Sequence, residues 1–244
     1  MSGEYIPHVV TAYENELRGL EEGVSKLGEA AARQIENAVS ALVTGDVTDA
    51  QRIIAQDKNL DALVAEAEGA CIRILALRQP HADDLRLTVS TIKACSEVER
   101  AGDYAKNIAK RIETIASLRP VGPMRDIPYL MELAVGNLRK AVGAFVTRDP
   151  GLAGEVWKND AALDAAYTAI FRDILTYMAE DSQSVTACTH LLFIAKNLER
   201  VGDRATNIAE HAYYLATGRQ FEGERPKSDL TSSAVPAALD GAEE

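Results

Sequence analysis

Apolar residues recur along this chain at three- and four-residue intervals, as at Ile53, Leu60, Leu63, Ile72, Ile74 and Leu75. That spacing is the mark of helices that bury one face. The pattern breaks at Thr44-Gly45-Asp46, at Gln79-Pro80, across Leu118–Pro128, and at Arg148-Asp149-Pro150-Gly151, all rich in turn-forming residues. Six helices follow, over about 12–43, 47–78 and 82–118, then 125–147, 151–179 and 182–217. None of the eight prolines interrupts a long periodic stretch, and there is no Asn-Gly hairpin or sustained β-branched alternation. The expected fold is all-α. Short connections make consecutive helices antiparallel neighbours, giving two tandem three-helix bundles.

The halves are copies of one another. Residues 99–110 and 199–210 agree at eight of twelve positions, where chance gives fewer than about one. The shared residues include Glu99-Asp103-Asn107 and Glu199-Asp203-Asn207. At i, i+4, i+8 spacing these lie along one helix face. Upstream, Leu42–Asp46 pairs with Phe145–Asp149, and Asp57-x-x-x-Asp61 with Asp160-x-x-x-Asp164. These sit at an offset of 103 instead of 100, as a three-residue deletion near Gln79–Ala82 explains. The repeat is domain-sized, too long for a solenoid. It divides the chain into a first repeat at 1–120, a second at 121–218 and a segment 219–244. That last segment, rich in Gly, Glu, Pro, Ser and Ala without periodicity, is expected to lack fixed structure.

Composition narrows the setting. A net charge of −11 offers no footprint for nucleic acid and disfavours adhesion to an anionic membrane. No apolar run is long enough to span a bilayer, and the first residues lack a signal peptide's basic and apolar regions. Cys71, Cys95 and Cys188 fall at helix-interior positions without metal-type spacing, so buried reduced thiols are expected, and a cytoplasmic protein.

The carboxylates carry the chemistry. With 37 acidic residues in 244, about five or six acidic i, i+4 pairs arise by chance, so one pair means little. Four in matching register mean more. Each like-charge pair destabilises an exposed helix by roughly 0.2–0.5 kcal/mol, which Arg100 and Arg200 could offset as a salt-bridged face. The competing reading is an oxygen-rich cation site in each copy. In it Asp57/Asp61 face Glu99/Asp103, Asp160/Asp164 face Glu199/Asp203, and Asn107 or Asn207 adds an amide oxygen. Gly102 and Gly202 fit this reading, because glycine inside a helix costs about 1 kcal/mol and leaves room for close approach. Glu97 against Asn197, and Lys110 against Glu210, make the copies unequal, with the second expected to fill first. His190 and His211 have no counterpart in the other copy, and a site without histidine favours Mg, Mn or Fe over structural zinc.

The pattern Leu-Glu-Arg-x-Gly-Asp-x-Ala-x-Asn-Ile-Ala at 198–209, with Val98 for Leu in the first copy, resembles the signature of the PhoU family. Asp83-Asp84-Leu85-Arg86 before Lys93 also resembles that family's first repeat, and the similarity covers roughly 12–218. The resemblance implies two three-helix bundles and a homodimer. It implies a non-enzymatic negative regulator of phosphate homeostasis that couples the ATP-binding subunit of a phosphate ABC transporter to a sensor histidine kinase, at the inner membrane only through partners. It further implies multinuclear metal binding (Fe, Mn, Mg or Zn) by E/D-x-x-x-D motifs. These match Glu99/Asp103 and Glu199/Asp203 directly, and Asp57/Asp61 and Asp160/Asp164 on the preceding helices. Two alternatives stand: a metal-independent adaptor docking basic partners on its acidic faces, and a dimetal enzyme. The second lacks a phosphate-cradling loop, a nucleophile elbow and a His-Glu-x-x-His motif.

Overall fold

The computed structural model describes residues 6–223 together with 225, 229 and 231, with side chains from residue 11 onward. Among them are six long helices and no strand: α1 (Ile6–Thr44), α2 (Val47–Arg78), α3 (Ala82–Ala116), α4 (Ile127–Thr147), α5 (Pro150–Glu180) and α6 (Val185–Thr217). The bounds depart from those read in the sequence mainly at α1, which begins six residues earlier, and in the linker, where Gly122–Asp126 forms a 3₁₀ turn. Pro123, Pro128 and Pro150 all occupy first-turn positions, where a missing N–H leaves nothing unsatisfied.

The duplicated turns use one device twice. The Asp46 N–H closes α1 on the Ala41 carbonyl at 2.9 Å, and the Asp149 N–H closes α4 on the Ala144 carbonyl at 3.0 Å. Each aspartate then caps the next helix: Asp46 accepts from the Asp49 N–H at 2.9 Å, and Asp149 from those of Gly151 and Leu152 at 2.8 and 3.1 Å. The left-handed residue between is Gly45 (φ +68°) in the first copy but Arg148 (φ +52°) in the second. Arg148 is strained there, and its guanidinium gains an ion pair with Glu21 at 2.8 Å.

Each bundle packs three antiparallel helices, and the bundles join along α1/α4 and α3/α6, leaving α2 and α5 on the outer flanks. One continuous apolar core runs through both, from Leu20, Leu27 and Ile35 through Ile108 and Ile112 to Leu130, Leu138 and Phe145. Ile72, placed on the buried stripe by its spacing, is instead 61% exposed, because α2 buries only the side turned to its own bundle. At the α1/α4 join, Arg139 clasps Glu29 (3.1 Å) and Glu36 (2.6 Å). At the α3/α6 join, Arg204 pairs with Glu97 at 3.0 Å and Arg111 meets His190 at 3.3 Å, so those helices run antiparallel. The acidic stripes lie on the other side of α3 and α6, along the α2/α3 and α5/α6 seams.

Candidate functional site

The glycines explain how two acidic helices come so close. A Cβ on Gly102 would overlap Leu60 Cδ2 and lie 3.6 Å from its Cγ; one on Gly202 would overlap Leu163 Cδ2 and lie 3.4 Å from its Cγ. Leu60 is flanked by Asp57 and Asp61, and Leu163 by Asp160 and Asp164. Each leucine is a knob seated on a glycine, and both leucines are fully buried. Gly102 and Gly202 immediately precede Asp103 and Asp203. The contact that draws the helices together therefore brings acids of the two helices to the same level.

In the first copy Asp57 is buried, Glu99 and Asp103 are partly exposed, and Asp61 is open to solvent. Burial raises the pKa of Glu99, and the negative charges of Asp103, Asp61 and Asp57 add to it, with Arg100 opposing. The cation nearest these acids is Lys106, which binds Asp57 and lies 3.8 Å from Asp103. Asn107 is exposed on the same helix.

The second copy is drier. Asp160 (2% exposed), Asp164 (5%) and Glu199 (6%) are all buried, and Asp203 is partly so. Burial raises the pKa of Glu199, Lys196 opposes, and the charges of Asp203 and Asp164 reinforce the rise. Lys196 pairs with Glu199 at 3.0 Å. Thr206, standing where the first copy has Lys106, has two acceptors within reach of its one hydroxyl proton, Asp160 at 3.2 Å and the Gly202 carbonyl at 3.1 Å. Arg225, beyond α6, reaches both Asp160 and Asp203 at 2.8 Å. Each copy thus carries one lysine on its stripe, at opposite ends: Lys106 with Ser96 in the first, Lys196 with Thr206 in the second.

Some sequence-level expectations land elsewhere. Glu97 does not join the first acidic group; two residues from Glu99 is about 200° around a helix, and it faces α6, accepting from Arg204 and from Asn207 Nδ2 at 3.1 Å. Asn207 reaches that join because eight residues overshoot two turns by about 80°. Lys110 is exposed, and the lysine on the first acids is Lys106. Arg100 lies 3.7 Å from Glu97, and Arg200 is exposed. His190 and His211 sit by the α3/α6 join, their pKa values lowered by burial and then by Arg111 and Lys93. Cys71, Cys95 and Cys188 are free and buried, with burial pushing the first two up to about 11 and about 12.

Lys106 and Thr206 were visible as a mismatch between the repeats, though nothing in one sequence says which mismatch touches the acids. Arg225 gave no signal, lying in a segment without periodicity. Part of 219–244 falls outside the described residues. Its described part packs on the second bundle, with Phe221 stacked on Tyr213 (centroids 4.0 Å apart) and Trp157 (5.1 Å). Among the described residues no three His, Cys, Asp or Glu side chains converge on a metal-ligating point, and no helix is long and apolar enough to cross a membrane.

A family model described as the PhoU domain matches twice, over residues 24–112 and 127–212, one match to each bundle. A Rhizobium meliloti (strain 1021) protein named phosphate-specific transport system accessory protein PhoU homolog is 43% identical, over 93% of this chain and 96% of that one. The Escherichia coli (strain K12) phosphate-specific transport system accessory protein PhoU is 32% identical, over 88% and 89%. The crystal structure of PhoU from Pseudomonas aeruginosa superposes with a TM-score of 0.80 at 31% identity, covering 85% of this chain and all of the other.

Proposed function

The chain belongs to the PhoU family, and from that premise we propose that it is the accessory protein of a phosphate-specific transport system. In this role it restrains phosphate uptake and phosphate-starvation signalling from the cytoplasm. It does so by linking the transporter's ATP-binding subunit to a sensor histidine kinase, as a homodimer without catalytic activity of its own. Its acidic seams hold metal ions of the Mg, Mn, Fe or Zn kind, with Asp57, Asp61, Glu99 and Asp103 serving one site and Asp160, Asp164, Glu199 and Asp203 the other.

The observation that carries the metal part is the burial of Glu199 and Asp164 beside Asp203. Carboxylates of like charge away from water are costly unless positive charge stands among them; Lys196 and Arg225 supply it here, and a divalent ion would supply it in their place. The candidate ligands are all carboxylate oxygens, which suits hard and borderline divalent ions. Such an ion supplies neutralisation and a cross-link between two helices. The protein's own residues do the rest: Leu60 on Gly102 and Leu163 on Gly202 fix the separation of the helices, and the buried acids hold charge inside a rigid seam. The outer faces of α2 and of α5, one on each flank, are then ordered for partners.

A phosphate-regulated reporter in cells lacking the native protein tests the link. Complementation with Glu199→Gln/Asp203→Asn, folded by circular dichroism, is expected to leave starvation genes expressed in high phosphate. Full repression by that variant refutes a regulatory role for the site. A second reading, metal-independent docking of basic partners, is favoured by the way Lys106, Lys196 and Arg225 already satisfy acids of both stripes. Partner capture that survives chelation and the same double substitution would select it.

A further inference from the structure

We propose that the segment following α6 is a built-in competitor for the second acidic site, with the Arg225 guanidinium standing where a divalent cation would bind. The inference rests on the metal reading of that site given above. After Gly218 (φ +70°) ends α6, the chain returns along the second bundle toward Asp203. Asp203 lies fourteen residues before Thr217 on α6, about 21 Å at 1.5 Å per residue. The seven residue-to-residue steps from Gly218 to Arg225 span about 23 Å when extended, so the reach is sufficient.

The docking is built at three points. Phe221 stacks on Tyr213 (centroids 4.0 Å apart) and on Trp157 (5.1 Å). Arg225 bridges Asp160 and Asp203, one acid from each helix of the seam. Asp229 pairs with Lys196 at 3.4 Å, the lysine that also holds Glu199. None of these features has a partner in the first copy, where Ile54 replaces Trp157, Glu113 replaces Tyr213, and Lys106 supplies the positive charge from within α3. The two sites are therefore neutralised differently. The first uses a lysine fixed in its own helix, and the second uses an arginine on a detachable strap.

Because strap and cation claim the same carboxylates, the strap lowers the apparent cation affinity by the fraction of time the site stands open. A strap docked about 90% of the time weakens binding about tenfold. Trp157, the chain's one tryptophan, reports the strap's release. The test is an Mn²⁺ titration of the full chain in an Asp57→Asn/Asp103→Asn background, which silences the first site. Free Mn²⁺ is read by electron paramagnetic resonance and Trp157 by fluorescence. Mn²⁺ is expected to shift Trp157 emission in step with binding. Arg225→Gln and Phe221→Ala are each expected to tighten Mn²⁺ binding about tenfold, and Arg225→Lys to restore part of the competition. Equal affinity with and without Arg225, or binding that leaves Trp157 unchanged, overturns the competition while the metal reading stands. Absence of Mn²⁺ binding by every variant overturns both.

Discussion

Leu163 on Gly202 is the contact on which the second acidic seam depends, and a double-mutant cycle measures it. Gly202→Ala places a methyl in the volume of Leu163 Cδ2. Overpacking of this kind costs roughly 1–3 kcal/mol, against a gain of about 1 kcal/mol in helix propensity. The net loss is roughly 0–2 kcal/mol. Leu163→Ala, at a position only 1% exposed, removes the knob and leaves a cavity worth roughly 2–5 kcal/mol. In the double variant the new methyl enters the space the leucine left. The combined loss is expected to fall short of the sum of the singles by about 1–3 kcal/mol. Urea denaturation of the four chains gives the coupling, and Gly102→Ala with Leu60→Ala repeats it in the first copy. Losses that add to within about 0.5 kcal/mol would refute the knob-on-glycine account, since uncoupled sites behave in that way.

Exchanging the residues that differ between the stripes should exchange their cation preference. Lys106→Thr is expected to strengthen Mn²⁺ binding at the first site and Thr206→Lys to weaken it at the second, as read by calorimetry. Burial and Lys93 hold the His211 pKa below its ordinary 6.5. Its neutral form therefore contributes stability that is present above about pH 6.5 and lost as pH falls toward the folded value. The urea midpoint should drop between pH 7.5 and 5.5, and less steeply in His211→Asn. Cys71 and Cys95, buried and pushed up to about 11 and about 12, should resist a thiol reagent at pH 8 until urea unfolds the chain.

The helices were legible because periodicity, prolines and turn-forming residues agree over long stretches. The repeated Leu-Val-Thr-Gly-Asp and Phe-Val-Thr-Arg-Asp turns even share one hydrogen-bond scheme. The acidic positions were legible through duplication, and the structure lays them along two matching seams. What a single sequence could not supply is rotation about each helix and contact at a distance. Glu97 looks like a member of the acidic group by proximity, yet two residues of rotation turn it to α6. Ile72 looks like core until the flank position of α2 is known. Phe221 and Arg225 carry no local pattern, because their structure comes wholly from the surface that receives them.

Cations shared between α2 and α3 and between α5 and α6 are the central proposal. Elemental analysis of the purified full chain tests this directly, beside Asp57→Asn/Asp103→Asn and Asp160→Asn/Asp203→Asn forms confirmed to be folded. Bound metal in the parent, with each double variant losing its own site's share, is the predicted result. Metal content unchanged by either pair of substitutions, or none in the parent after growth with Mn²⁺ and Fe²⁺, would contradict it.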